Sequence, residues 1–504
     1  MPARPTAEDP DTSQDTQTLQ APQAPQTSQA PQPPHSSDAV PEPDRPPAPA
    51  HPVLALATIV GTQLMLLLDA TVVNVALPDI GLHLGFSPTG LSWVVNVYTL
   101  AFGGLLLLGS RVGDLVGRRT ALVWGVAAFT LASLAGGLAG DTATLLVARG
   151  AQGASAALAA PSALALIATN FREGPERHRA LSVFSAVAGG AAAVGLTLGG
   201  MLTEWGSWRG VFFVNLPVGA AIVLLAPRFI TETRRHGGGR FDVAGALTGT
   251  LGISGLVYGF IRVAESGWGD TRALAVFAAA AALLAAFLAN EFRVERPLVV
   301  LRLFADRDRA LAYGVLLLST TTMFGIFYFS TQYLQDVLGY GPLRTGFAFL
   351  PMAGPLFAAA RLAPRLLVRH GARRVAGTGA ALTLAGVAWV STLSPSDGYA
   401  QVLLPMLVLL GFGVGLTMMP LNTTVLAGVA PQDAGSASGL LQTMQQVGGS
   451  LGLSVLVTVF GTVSRHHARD PFVHGAAAAF TLSAAFAALA LLLVLALRTP
   501  RRTA

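Results

Sequence analysis

Three residues carry charge or strong hydrogen-bonding capacity where the chain otherwise reads as hydrocarbon. Asp69 stands in LMLLLDATVVNVALPDI (Leu64 to Ile80), and Arg149 and Gln152 stand in RGAQGASAA (Arg149 to Ala157). A carboxylate at the centre of a membrane helix costs about 2.5–3.5 kcal/mol on insertion scales, so it marks a functional site by default. Withdrawal from water favours the neutral form of a carboxyl group, so a buried acid is suited to taking up and giving back a proton. The plainer reading of Asp69 is a partly hydrated acid near the mouth of a span. Arg149 is the one arginine that falls deep in a span, and Gln152, at i+3, shares its helix face. They read either as functional partners or as a structural ion pair. Asn74 follows Asp69 by five residues and only partly shares its face at 3.6 residues per turn, which suits a helix-packing hydrogen bonder.

A second charged cluster, SRVGDLVGRR (Ser110 to Arg119), lies between two apolar runs and offers Asp114, Gly117, Arg118 and Arg119. The arginines suit anchoring on the cytoplasmic side, but that role needs no aspartate. GGSLG (Gly448 to Gly452) fits the G-x-S-x-G pattern of a nucleophilic serine. That pattern needs a strand-turn-helix elbow, and Ser450 falls inside an apolar helix. All nine histidines fall in the tail, in loops or at span edges. No H-E-x-x-H or G-x-x-x-x-G-K-[ST] motif is present, so neither an intramembrane metalloprotease nor an ATP-driven pump is supported. With no cysteine, disulfides and thiolate metal sites are excluded. No cofactor, metal or catalytic residue is expected, and the chain does not read as an enzyme.

The elements that hold these residues are membrane spans. The composition is 52% hydrophobic and 12% charged, against about 25% charged in soluble domains. Apolar runs near the ~20 residues needed to cross ~30 Å of hydrocarbon recur at 53–77, 91–110, 120–140, 143–168, 180–202, 209–227, 243–263, 272–291, 311–331, 345–365, 375–393, 402–426, 438–462 and 475–497. All 32 basic residues are arginine, and they crowd alternate loops: Arg111, Arg118 and Arg119; Arg172, Arg177 and Arg179; Arg228, Arg234, Arg235 and Arg240; Arg293 to Arg309; Arg361 to Arg374. The positive-inside rule makes that side, and both termini, cytoplasmic. The calculated basicity is therefore no signal for nucleic acid. Residues 1–50, rich in Pro, Gln, Ser and Thr, cannot bury a core and are expected to form a disordered cytoplasmic tail. Residues 498–504 form a short basic cytoplasmic tail. A faint repeat relates SRVGDLVGRR to PRLLVRHGARR (Pro364 to Arg374) and divides the spans six, two, six. Transporters with parallel repeats place substrate near the midplane between the halves. Gly136/Gly140, Gly195/Gly199, Gly411/Gly415 and Gly448/Gly452 stack small residues at spacing four, allowing close helix contact. Gln63, Asn96, Tyr98, Tyr328, Gln332, Asn422, Gln442 and Gln445 are candidates to line a cavity.

Five stretches in this order carry a resemblance: LDATVVNVALP (Leu68 to Pro78), GDLVGRR (Gly113 to Arg119), RGAQGASAA, WRGVFFVNLPVG (Trp208 to Gly219) and YLQDVLGYGPLRTGFAFLP (Tyr333 to Pro351). The chain resembles the 14-span drug:proton antiporter family of the major facilitator superfamily over about residues 53 to 460. The resemblance implies an all-α integral membrane fold of two six-helix bundles (51–230 and 305–497) with an inserted helix pair (241–292). It implies proton-coupled export of hydrophobic or amphipathic drugs or antibiotics across the cell membrane, by a monomer whose partners are the small-molecule substrate, protons and the bilayer. In that family Asp69 corresponds to a membrane-embedded carboxylate implicated in coupling or cation recognition, and Arg149 to a group that assists proton transfer. Asp114 and the neighbouring arginines correspond to interhelical charge contacts that hold the inner gate. The family's fifth helix usually carries Gly-Pro-x-x-Gly-Gly; here GLTLGG (Gly195 to Gly200) keeps Gly195, Gly199 and Gly200 but puts Leu196 where proline is usual, removing a kink-maker. Two rival readings stand beside export: transport of a specific metabolite, and a non-transporting membrane receptor.

Overall fold

The computed structural model describes residues 51–172, 175–232, 242–294, 297–394, 396–429, 434–467 and 469–498. The expected tail 1–50, Arg234, Arg235, Arg240, Arg296 and all of 498–504 beyond Arg498 lie outside the described residues. The described chain is helical, without strands: α1 (Pro52–Leu84), α2 (Trp93–Val116), α3 (Arg118–Gly137), α4 (Thr142–Asn170), α5 (Pro175–Trp205), α6 (Gly210–Phe213), α7 (Asn215–Phe229), α8 (Val243–Ser266), α9 (Thr271–Glu291), α10 (Arg307–Gln332), α11 (Pro342–Ala348), α12 (Leu350–His370), α13 (Ala372–Val390), α14 (Tyr399–Leu426), α15 (Ala434–His466) and α16 (Pro471–Leu495). A single π-helical turn, Tyr333–Val337, extends α10.

Among the described residues, twelve helices or helix pairs are long and apolar enough to cross a membrane. Helices α5 and α13, of 31 and 19 residues, lie packed among them. Several helices outrun the apolar runs that announce them: α1 covers 33 residues and α15 another 33. Caps set these ends. The carboxylates of Asp141, Asp242, Asp270 and Asp306 accept first-turn N–H groups of α4, α8, α9 and α10, satisfying donors that a helix start leaves free.

The arginine-bearing loops share one end of the bundle. There Asn170, closing α4, exchanges hydrogen bonds with Thr231 beyond α7, and the Arg309 guanidinium donates to Val425 O and Ala427 O at the end of α14. At this end the apolar core is divided. One cluster packs Ile59, Leu122, Val126 and Ile167 of α1, α3 and α4; a separate one packs Tyr313, Leu316, Leu421 and Val494 of α10, α14 and α16. At the opposite end a single cluster joins both sets, with Val72, Leu77 and Phe212 in the same core as Phe329, Leu407 and Leu456. Polar contacts cross the seam there: Gln335 Nε2 donates to Val75 O (2.9 Å), the Tyr328 hydroxyl to Pro88 O (3.0 Å), and Leu343 N to Glu204 Oε2 (3.1 Å). Short α11 leans on α5. Helix α9 packs mainly on α8, and α8 reaches both α2 and α15, with Thr458 Oγ1 donating to Phe260 O (2.7 Å).

Candidate functional site

Asp69 sits mid-way along α1, and α2, α3, α4 and α7 all contribute to its surroundings. Arg149 Nη1 donates to Asp69 Oδ2 at 2.6 Å. Gln152 Nε2 and Asn215 Nδ2 donate to Asp69 Oδ1 at 2.9 and 2.8 Å. Arg149 and Gln152 lie one turn apart on α4 and are joined by an Nη1 to Oε1 bond of 3.0 Å. The guanidinium has further contacts. Its Nε donates to Val94 O (3.0 Å), and its Cζ lies 4.3 Å from the centroid of the Tyr98 ring, within cation–π range. Gln152 Nε2 also donates to Ser133 Oγ (2.8 Å), whose hydroxyl donates to Phe129 O. Asp69 and Arg149 are each only 1% exposed. A buried ion pair of this kind persists only when further hydrogen bonds support it, and here they reach both carboxylate oxygens and the Nε and Nη1 of the guanidinium.

Three N–H donors converge on the two carboxylate oxygens. An ionised carboxylate is acceptor-only, whereas its acid form needs an acceptor for its own O–H. The arrangement is thus matched to the carboxylate. A proton arriving on Asp69 must either turn an amide, so that its oxygen accepts, or displace Arg149.

The sequence reading singled out Asp69, Arg149 and Gln152, and the fold brings all three together. Asn74 lies apart: its amide donates to Ala70 O (3.0 Å) and Thr71 O (3.4 Å) of its own helix. Asn215 was missed. It heads α7, next after Val214, inside the WRGVFFVNLPVG stretch. The available signal was a primary amide inside the apolar run 209–227. Of the cavity candidates, Tyr98 joins the site, whereas Tyr328 and Gln332 belong to the sealed seam end. Asn96 is fully buried with no hydrogen-bond partner. Ser450 donates to Gln446 O within its helix.

The second cluster lies at the arginine-rich end. Asp114 Oδ1 and Arg118 Nη2 pair at 2.5 Å, and Arg118 Nη1 reaches Ser110 Oγ at 3.4 Å. Gly117, at φ +104°, turns the chain from α2 into α3, a conformation open to glycine without strain. A side chain there would also strike the Glu232 carboxylate, 2.7 Å from an ideal Cβ. Glu232, just beyond α7, accepts from Arg119 N (2.9 Å), Thr120 N (3.0 Å) and the Thr120 hydroxyl (2.6 Å). Arg119 returns the contact: its Nη1 donates to Ile230 O (3.2 Å) and Pro227 O (3.4 Å). Each helix end is capped by the other, a carboxylate on the N-terminus of α3 and a guanidinium on the C-terminus of α7, the signs that the helix dipoles favour.

On α5, Gly199 and Gly200 lie against backbone. An ideal Cβ would stand 2.7 Å from Val72 O at Gly199 and 2.5 Å from Pro342 O at Gly200. Gly195 abuts Thr71. Leu196 is buried, and its carbonyl packs on Gly346 of α11.

Comparison with known proteins accords with this architecture. The profile of the Major Facilitator Superfamily matches residues 59–453. A puromycin resistance protein of Streptomyces alboniger is 44% identical over 448 residues, covering 87% of this chain and 89% of that protein. A cephamycin export protein of Amycolatopsis lactamdurans is 41% identical over 412 residues, covering 81% and 85%. Among solved structures, an auto-inhibited POT-family peptide transporter superposes with a TM-score of 0.62 at 16% identity, covering 89% of this chain and 99% of that one, a likeness of fold alone. The matched region runs from α1 into α15 and takes in Asp69, Arg149, Gln152 and Asn215 together with the apolar helices that bury them. This multi-pass membrane protein therefore belongs to the major facilitator superfamily.

Proposed function

We propose that this protein exports hydrophobic or amphipathic drugs or antibiotics across the cell membrane in exchange for protons, by alternating access. The relatives named for puromycin resistance and cephamycin export supply the substrate class. The observation that carries the coupling is the buried Asp69 carboxylate, held by Arg149, Gln152 and Asn215 at the centre of the first span. The bundle is read as fourteen spans, two sets of six around the pair α8–α9, working as a monomer. With the arginine-rich end and both termini cytoplasmic, the described state has its outer end sealed by one shared apolar core and separate apolar clusters in its two halves toward the cytoplasm. In that state the substrate loads from inside while Asp69 is ionised. When the outer end opens, a proton from outside reaches Asp69, the three-donor set loosens, and the substrate leaves. One charge moved across 100 mV supplies about 2.3 kcal/mol, enough for about 50-fold accumulation of a neutral solute. Asp114, Gly117, Arg118 and Arg119 serve the inner gate in this scheme, and Gly195, Gly199 and Gly200 the close approach of α5 to α1 and α11.

The test is Asp69→Asn in proteoliposomes with an imposed pH gradient. Puromycin-induced proton flux is expected to vanish while the protein stays folded. Undiminished flux in the variant overturns the assignment.

A further inference from the structure

Helix α7 touches both charged clusters. Its first residue, Asn215, donates to Asp69 Oδ1. Its last carbonyls accept from Arg119, and Glu232, three residues beyond its end, caps α3 through Arg119 N and Thr120 N. The 15 residues of α7 span about 22 Å at 1.5 Å per residue. Along that length α7 packs between α1 and α3, and Gly219 rests directly against the Thr130 side chain, so the helix runs close beside α3 there. Its start follows directly on α6: Val214, between the two, keeps helical backbone angles and donates to Gly210 O.

We propose that α7 is a stiff connector that transmits the charge state of Asp69 to the reciprocal caps at the start of α3, with Asn215 the positioning residue at one end and Glu232 at the other. The proposal rests on the reading of Asp69 as the proton-carrying group. Among the described residues, the charged or titratable groups that face Asp69 are Arg149 of α4 and Tyr98 of α2, while α3 presents neutral Ser133 and α7 neutral Asn215. With Asp69 ionised, the Asn215 amide donates to it and pins the head of α7 to α1. A proton on Asp69 removes its charge and occupies one of its acceptor sites, so the Asn215 contact weakens from a charge-assisted bond to a neutral one. The head of α7 is then free to shift along its axis, and the caps at the far end, three bonds of 2.6–3.0 Å, tolerate little displacement. Two hydrogen-bonded contacts joined by one helix form a contiguous route for coupling between the two sites.

Hydrogen exchange of the full-length protein, followed by mass spectrometry on peptides covering 117–122, reads the cap directly. At one fixed pH, Asp69→Asn is expected to speed exchange of the Arg119 and Thr120 amides at least tenfold. Asn215→Ala should give the same gain, with Asn215→Ser standing in if the alanine variant does not fold. The double variant should exchange no faster than either single one, while Glu232→Gln should speed exchange whatever residue is at 69. Unchanged exchange in Asp69→Asn, or gains that add in the double variant, would overturn the connector. Loss of puromycin-induced proton flux in Asp69→Asn without any change at 119 and 120 sinks the connector alone. Retained flux in that variant sinks the proton reading on which it stands.

Discussion

Arg149 and Asp69 meet at 2.6 Å from two helices, with neither side chain open to water. Deleting one partner of a buried pair leaves the other charge uncompensated and costs about 3–5 kcal/mol, whereas removing both charges is often close to neutral. Arg149→Ala should therefore lower the melting temperature sharply, and the double variant Asp69→Asn/Arg149→Ala should recover part of the loss. Arg149→Lys keeps the charge but has no planar fork to serve Asp69, Gln152 and Val94 O at once while lying over Tyr98, so it should fall between wild type and Arg149→Ala. Thermal unfolding in detergent measures the series; an Arg149→Ala protein as stable as wild type would contradict the pairing.

Asp141 gives a pH dependence that lies outside the membrane. It caps α4, Oδ1 accepting from Thr144 N (2.8 Å) and Oδ2 from the Thr144 hydroxyl (2.7 Å). The Thr144 N–H and then its hydroxyl hold this carboxyl below its ordinary range. A group whose folded pKa lies below its unfolded value, about 3.9 for aspartate, stabilises the fold above that pH and loses the contribution as pH falls through the folded pKa. The melting-temperature gap between wild type and Asp141→Ala should therefore be steady from about pH 7 to pH 5 and shrink below about pH 4. A gap that widened toward acid would show the sign to be wrong.

The sequence announced the spans because an apolar run of about 20 residues has few other uses. It announced Asp69 and Arg149 because charge is expensive in such runs, and it placed Gln152 beside Arg149 because i+3 residues share a helix face. That Arg149 reaches Asp69, 80 residues earlier in the chain, depends on how α1 packs on α4, which no local pattern encodes. Asn215 escaped notice because an amide costs far less than a charge and raised no alarm where it stands. Glu232 stands just before Arg234 and Arg235, and an arginine-based reading of topology passes over the acid among them. The helix ends were illegible for a related reason: caps such as Asp141 and Asp306 settle them, and the polar ends of α1 and α15 continue past the apolar run that hydropathy detects.

Gly200 offers a test of the sealed end of the bundle. An alanine methyl there would meet Pro342 O at 2.5 Å, closer than real contacts allow, and overpacking of this kind costs about 1–3 kcal/mol unless the backbones separate. The separation would part α5 from α11, on the seam that Glu204–Leu343 and Gln335–Val75 also hold. Because the chain has no cysteine, Ala76→Cys places a unique thiol in the shared core, where Ala76 is fully buried. Labelling of that thiol by a membrane-impermeant maleimide should rise at least threefold when Gly200→Ala is added. Gly199→Ala is the contrasting case. Its methyl would meet Val72 O, on α1 rather than across the seam, so it should lower the melting temperature without raising labelling. Equal labelling in the two alanine variants would mean that α5 and α11 do not hold this end shut.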